Sequence, residues 1–349
     1  MTGTDLHVHE LDVHDDETFA AWHGAYAAAL DAAVGEAAMT WTLPELQVQM
    51  REPTRDLERH GFVGRVGGPD GEVVAAGFAG FPQLDNLESA YLETSVHPDH
   101  QGRGHGTALA IHVEEFAVAA GRRLLTCEVR WRGDQGSDGE GSPGAALARS
   151  RGFKLGLTDV QRRLDGRIPD DVLDALAAEA APHHTAYRLD AFTGPMKDEY
   201  AESWLALANT LMVEAPTGDI EREAERTDLA TLREQEENVA KQGRTLFSTV
   251  ALDETGEVVA YTTIAHGVHD VSGAFQWGTQ VHRDHRGHRL GLAVKVANHR
   301  LFQAERPDVE RVSTYNAESN VHMIAVNERL GFQPVSRMGE FQKRVPLRG

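Results

Sequence analysis

The chain has 349 residues, of which 54 are Asp or Glu and 34 are Lys or Arg, giving a formal charge of 34 − 54 = −20 with histidine neutral. So acidic a chain is not a general binder of nucleic acid or of anionic membrane surfaces, because both are bound through basic side chains. At this length two ordinary domains are expected, and 41% hydrophobic residues suffice to build two cores, which argues against general disorder.

In chain order, Met1 to Asp16 carries Asp5, Glu10, Asp12, Asp15 and Asp16 with no apolar core behind a basic start, so it does not read as a signal peptide. A strand is expected over Leu6–Asp12, then helices, then antiparallel strands turned by Gly67-Gly68-Pro69-Asp70-Gly71. Strand Leu92–His97 runs through a glycine-rich loop into a helical stretch from Thr107, and an apolar strand follows at Leu124–Val129. That strand holds Cys127, the only cysteine, which excludes an internal disulfide framework and a Cys-rich metal site. Asp165 to Pro182 reads as a capped helix that joins two halves. In the second half, strand Thr185–Ala191 leads to helices Met196–Met212 and Ile220–Gln242, then to strands Thr245–Ala251, Val258–His266 and Ala274–His282. Helix Gly287–Ala304, strand Arg311–Tyr315 and helix Ser319–Leu330 complete it. No apolar run approaches the roughly 18 residues of a membrane span, and a cytoplasmic protein is expected.

The halves are related by duplication. Glu72–Gly106 aligns without a gap on Glu257–Gly291, an offset of 257 − 72 = 185, and 12 of these 35 positions are identical. Composition alone gives about two matches. A unit of this size can bury its own core, so the repeat implies two tandem α/β (α+β) domains, each with a mixed, mostly antiparallel sheet flanked by helices. The expected division is 1–166, a linker helix over 167–182, and 183–349.

The glycines Gly102, Gly104 and Gly106 sit where a strand ends and a helix begins. There the free N–H groups of the first helical turn and the helix dipole create an anion site, suited to a pyrophosphate. Neither the Rossmann nor the Walker spacing is present. Gln101-x-x-Gly104-x-Gly106 after a strand ending in Val96 resembles the acyl-CoA loop of the GNAT N-acetyltransferase superfamily. In the second half the loop is Arg286-Gly287-His288-Arg289-Leu290-Gly291 after Val281, and Asn316, Asn320 and Asn327-Glu328-Arg329-Leu330-Gly331-Phe332 resemble the superfamily's C-terminal motif. Arg151-Gly152-Phe153 is its weaker counterpart.

The resemblance implies acetyl-CoA as co-substrate, no metal, and direct attack by the primary amine of a small molecule, with Val96, Gln101 to Gly106, Val281, Arg286 to Gly291, Asn316 and Asn320 as cofactor-binding residues. Each half departs from the family in a different motif. The first has Gly141 where the second has Asn320, and Ala148 where the family often has a tyrosine acid; the second has Arg289 in place of the middle glycine and Asn327 at the tyrosine position. A helical φ/ψ at Arg289 would leave its guanidinium to grip phosphate. Arg283, Arg286, Arg289, Lys295 and Arg300 form the densest basic cluster, although Lys295 and Arg300 also fit a solvated helix face.

Glu93 is placed for a general base and aligns with Gly278, while Glu214, Asp219 and Trp277 are candidates for the acceptor site. Asp219 alone also fits a helix cap, and Trp277 also fits core packing. The basic loop and the complete Asn320–Phe332 segment favour catalysis in the second half, with Asn327 at the acid position; Glu93 argues the other way. The histidine pairs His97/His100 and His282/His285 lack a third ligand. An acyl-CoA-binding sensor without turnover is the alternative function, and the chain is expected as a monomer or homodimer.

Overall fold

The computed structural model describes residues 5–346. In chain order its elements are β1 (His7–Glu10), α1 (Asp16–Val34), α2 (Leu43–Arg51), β2 (Leu57–Val66), β3 (Glu72–Pro82), β4 (Ser89–Val96), α3 (His105–Ala119), β5 (Leu124–Arg132), α4 (Pro143–Ser150) and β6 (Lys154–Asp165). Then follow α5 (Asp170–Ala180), β7 (Arg188–Thr193), α6 (Asp198–Ala208), α7 (Leu211–Glu214), α8 (Leu229–Lys241), β8 (Arg244–Leu252), β9 (Val258–Gly267), β10 (Gly273–Val281), α9 (Leu290–Glu305), β11 (Arg311–Ala317), α10 (Val321–Arg329) and β12 (Gln333–Arg344). Among the described residues no helix is long and apolar enough to cross a membrane.

The chain forms two compact units, and they are not two contiguous segments. The first takes the described residues up to Asp159, the segment Thr217–Arg222 and the residues from Val335 on; the second takes Val160–Pro216 and Glu223–Pro334. The final strands are thus exchanged relative to the expected division at 166 and 183. Strand β12 pairs antiparallel with β5 from Ser336↔Arg132 to Arg344↔Leu124, and its Phe341 is fully buried in the first core beside Leu125 and Trp131. A repeat fixes which strands exist, not which sheet edge each one joins. Nor is α5 a linker: its Leu173, Leu176 and Ala180 pack with Phe247, Phe302 and Phe332 in the second core.

In the first unit the strand order is β1–β2–β3–β4–β5–β12, with β4 and β5 parallel. Neighbouring residues of a strand point to opposite faces. Phe62 packs with Leu109 and Val113 of α3, whereas Val63 packs with Phe19 and Trp22 of α1, so these helices cover opposite faces of the sheet. Asp15 starts α1 by accepting hydrogen bonds from the Glu17 and Thr18 N–H groups, and Gly35, with φ 60°, ends it.

The second unit repeats this plan with the order β6–β11–β10–β9–β8–β7 and with β10 and β11 parallel. The helix expected from Ile220 begins only at Leu229, because the cap is Asp228, whose carboxylate accepts from the Thr231 N–H at 2.8 Å. Asp219 caps no helix. It lies in the segment that joins the first unit, where its N–H donates to the Gly156 carbonyl at 2.9 Å.

Candidate active site

In the first unit β4 and β5 are paired from Ser89↔Leu124 to Leu92↔Cys127, and no pair follows, although β4 continues to Val96 and β5 to Arg132. Two parallel strands that diverge in mid-sheet leave a slot through it. A cavity of about 650 Å³ occupies this slot, lined on one face by Ala110 of α3 and Ala148 of α4, and on the other by Tyr26 and Ala29 of α1. Small side chains at Ala110 and Ala148 keep it open. Gly106 lines it as well, between Leu147 and Val96.

The loop at the mouth is built for an anion. Gly104 is the N-cap of α3 at φ 87°, and Gly102 has φ 74°; both are left-handed conformations that favour glycine. The first-turn N–H groups of α3 have no intrahelical acceptor and lie beside the cavity at Gly104, Gly106 and Thr107. The Gln101 amide donates to the Val96 carbonyl at 3.0 Å and ties the loop to the strand end. Arg103 donates to the Asp99 carbonyl at 2.9 Å, so its charge is not spent on a carboxylate. His105, the first residue of α3, is buried, and burial lowers its pKa. These residues fit a pyrophosphate.

Glu93 lies one residue past the last β4/β5 pair. Its register partner Phe78 is two residues from Ala76, which packs on α1, so Glu93 projects on the α1 side of the slot. It is half-buried and lines the cavity. Desolvation raises its pKa and Glu128 adds to the rise, while Arg130 opposes it. Cys127 lines the cavity too, but burial and the surrounding carboxylates push its thiol up to about 12. A protonated thiol is a poor nucleophile.

The second unit has the same diverging strands, with pairing of β10 and β11 ending at Phe275↔Ser313. Its slot is filled. Lys295 stands 185 residues after Ala110, and Asn327 stands five residues before Phe332, as Ala148 stands five before Phe153. The buried Lys295 ammonium donates to Asn327 Oδ1 at 2.9 Å, and Asn327 Nδ2 donates to Asn316 Oδ1 at 2.5 Å, a chain of side chains running from α9 through α10 to β11. Burial lowers Lys295 to about 7. At Gly278, the position of Glu93, a Cβ would meet Leu211 at 3.1 Å and the Tyr261 hydroxyl at 3.2 Å, so a side chain there would have to displace both.

The arginines of the basic cluster expected to hold phosphate in this half are engaged in ion pairs. Glu214 takes Arg286 at 2.9 Å and Arg283 at 3.6 Å, Asp174 takes Arg300 at 2.5 Å, and Glu179 takes both Arg289 and Arg329. Arg289 is not in the helical conformation expected of it. It is the N-cap of α9 at φ 53°, ψ 20°, a left-handed geometry that is strained for a side-chain-bearing residue. Glu214, read as an acceptor site, is thus a partner of the loop arginines.

Known proteins resemble this chain in sequence and in fold. Residues 27–133 match the profile of the acetyltransferase (GNAT) family. The chain is 28% identical over 317 residues to a mycothiol acetyltransferase of Streptomyces avermitilis, covering 90% of this chain and 91% of that protein. Among solved structures, a tandem GNAT protein from the clavulanic acid biosynthesis pathway superposes with a TM-score of 0.78 at 28% identity, over 98% of this chain and 99% of that one. The first unit thus carries the acetyltransferase (GNAT) family match, and the whole chain is similar to a tandem GNAT protein. A GCN5-related N-acetyltransferase from Sphaerobacter thermophilus shares its fold, with a TM-score of 0.65 at 15% identity over 99% of this chain and 98% of that one.

The remaining expected residues divide between the two units. Val96, Gln101, Gly102, Gly104 and Gly106 line the first cavity with Glu93, and Arg103 and His105 lie in the same loop. In the second unit Val281 accepts from Arg286 Nε at 3.4 Å, Gly287 turns at φ 87°, His288 meets the His183 carbonyl at 3.2 Å, and Leu290 is buried. Gly291 sits under Val281, since a Cβ there would lie 3.6 Å from it. Asn320 caps α10 by accepting from the Met323 N–H at 3.2 Å, and Trp277 is half-buried on β10. Among the described residues no three His, Cys, Asp or Glu side chains are grouped to hold a metal. Glu128 and Arg130 of the first cavity were missed, although their alternation on β5 beside Cys127 was the available signal.

Proposed function

We propose that this acetyltransferase moves the acetyl group of acetyl-CoA to the primary amine of a small molecule, and that it does so in the first unit by direct attack. The observation that carries the reading is the open slot between β4 and β5, with an anion-binding loop at its mouth and Glu93 on the α1 side. Acetyl-CoA would lay its pyrophosphate on the N-terminus of α3 and pass its pantetheine arm between Ala110 and Ala148. The acceptor would approach from the α1 face.

The amine nitrogen then attacks the thioester carbonyl; the N–C bond forms, the C–S bond breaks, and CoA leaves as the thiolate, which takes a proton from solvent. Glu93, directly or through one water, takes the proton that the nitrogen loses. Its raised pKa makes the carboxylate a stronger base than an exposed one. With Cys127 held protonated, no acyl-enzyme is required. The filled slot of the second unit supports the same assignment and leads us away from the expectation that the second half is catalytic.

The test is CoA release, followed with a thiol reagent, from acetyl-CoA and a panel of amines, using the full chain and its Glu93→Gln variant. Amine-dependent release that falls in the variant supports the reading. Tight acetyl-CoA binding with no release across the panel would instead identify an acyl-CoA sensor.

A further inference from the structure

Glu93 does not stand alone on its face. Cys127 is the register partner of Leu92, so Glu128 and Glu93 are the first residues past the last pair on each strand and flank the opening of the slot. Cys127 faces the α3 core with its partner Phe341, and Glu128 therefore faces the α1 side, as Glu93 does. Register continues the row: Glu340 of β12 lies directly opposite Glu128. Three carboxylates thus lie on one face of three neighbouring strands, Glu128 and Glu340 at a paired-strand spacing of about 4.8 Å and Glu93 across the opening of the slot. Like charges set opposite one another destabilise a sheet, so such a row needs cations near it.

The protein supplies fewer cations than carboxylates. Arg130 reaches Glu128 at 3.0 Å and Arg222 reaches Glu340 at 2.5 Å. Asp159 adds a fourth carboxylate, raised to about 6 by burial and by Glu128 and Glu340, with Arg222 opposing. Glu340 is also raised, by desolvation first. Arg132 stands four residues further along β5 and is exposed, while Glu114 of α3, the helix on the opposite face, pairs with Arg151 at 2.9 Å and with Lys343 at 2.7 Å. Among the described residues Glu93 has no side-chain hydrogen bond or ion pair. The second unit has Gly278 at the Glu93 position and, by strand register, Asn316 at the Glu128 position, so the carboxylate pair occurs only where the slot is open.

We infer that Glu128 is a specificity-determining residue for the acceptor, and that the acceptor is an amine bearing a second cationic group, such as a diamine or polyamine. This rests on the first unit being the site of transfer. The reacting amine sits at Glu93, and the second cation, about one to two strand spacings away, sits at Glu128 and is reinforced by Glu340. The acceptor thereby relieves the repulsion that the row builds into the apoprotein.

The experiment compares kcat/KM for CoA release with 1,5-diaminopentane, spermidine and n-pentylamine, in the full chain and in the Glu128→Gln and Glu93→Gln variants. The expected result is a preference of about tenfold or more for the dications. That ratio should fall toward one in Glu128→Gln through a higher KM for the dications, whereas Glu93→Gln lowers kcat for all three amines alike. Equal use of mono- and dications by the unaltered chain, or a preference that survives Glu128→Gln, overturns the inference and leaves Glu93 as the base. No turnover with any of the amines, while acetyl-CoA still binds, overturns both the inference and the transfer reading on which it rests.

Discussion

One backbone plan, used twice, gives one open slot and one closed slot. In both units a pair of parallel strands diverges after three or four residue pairs, and a left-handed residue caps the next helix. Four side chains make the difference. Ala110, Ala148, Glu93 and Glu128 surround a cavity, while Lys295, Asn327, Gly278 and Asn316 stand at the same positions around a hydrogen-bonded plug. The sheet supplies a site in outline, and the residues inside the gap decide whether a ligand can use it.

The largest effect expected from this contrast is on chemistry. Glu93→Gln should lower kcat by about 10²- to 10⁴-fold, the range for a lost general base. Because burial raises the Glu93 carboxyl, activity of the unaltered chain should rise with pH through a value above the ordinary carboxylate range, and this acid limb should vanish in the variant. A pH–rate profile of both proteins checks it; an unchanged limb assigns the base elsewhere.

Transplanting the plug comes next. Ala110→Lys with Ala148→Asn should weaken acetyl-CoA binding by about 100-fold or more, because the slot loses its width and a buried charge opposes entry. Circular dichroism and thermal melting establish that the variant is folded. Retained binding would show that the slot is not the cofactor channel.

The converse change concerns stability. Lys295 falls to about 7 when folded against 10.5 when free. Below about pH 7 the ammonium is charged in both states and folding bears the full cost of burying it. Between about 7 and 10.5 the unfolded chain holds a proton that the folded chain lacks, so this group makes stability rise with pH. Lys295→Met should therefore stabilise the protein at neutral pH by about 1–3 kcal/mol, after the loss of the Asn327 hydrogen bond, and should remove the rise above pH 7. Denaturant melts at pH 7 and pH 9 measure it. The smallest effect is expected from Arg289→Gly, which relieves the positive φ but breaks a half-exposed ion pair with Glu179, for a net change within about 1 kcal/mol.

Much of this contrast was legible in the residues. The repeat at a constant offset gave the paired units, Gln101 to Gly106 gave the anion loop, and Glu93 opposite Gly278 marked the asymmetry. What stayed hidden depends on partners distant in the chain. Lys295 on a helix with Arg300 reads as a member of a basic face, and only the turn of α9 toward Asn327 reveals it as a plug. The cluster of loop arginines looked like a phosphate grip because its carboxylate partners are remote in the chain: Glu214 stands 72 residues from Arg286, and Asp174 stands 126 residues from Arg300. The exchange of β6 and β12 was invisible for the same reason: periodicity identifies a strand, but its neighbour is a tertiary choice.

The most direct test of the central claim, that the first unit alone holds the co-substrate, is a calorimetric titration of the full chain with acetyl-CoA, repeated on the Ala110→Lys/Ala148→Asn variant. The account predicts one site per chain, lost in the variant. Two sites, or a single site that persists in the variant, would contradict it.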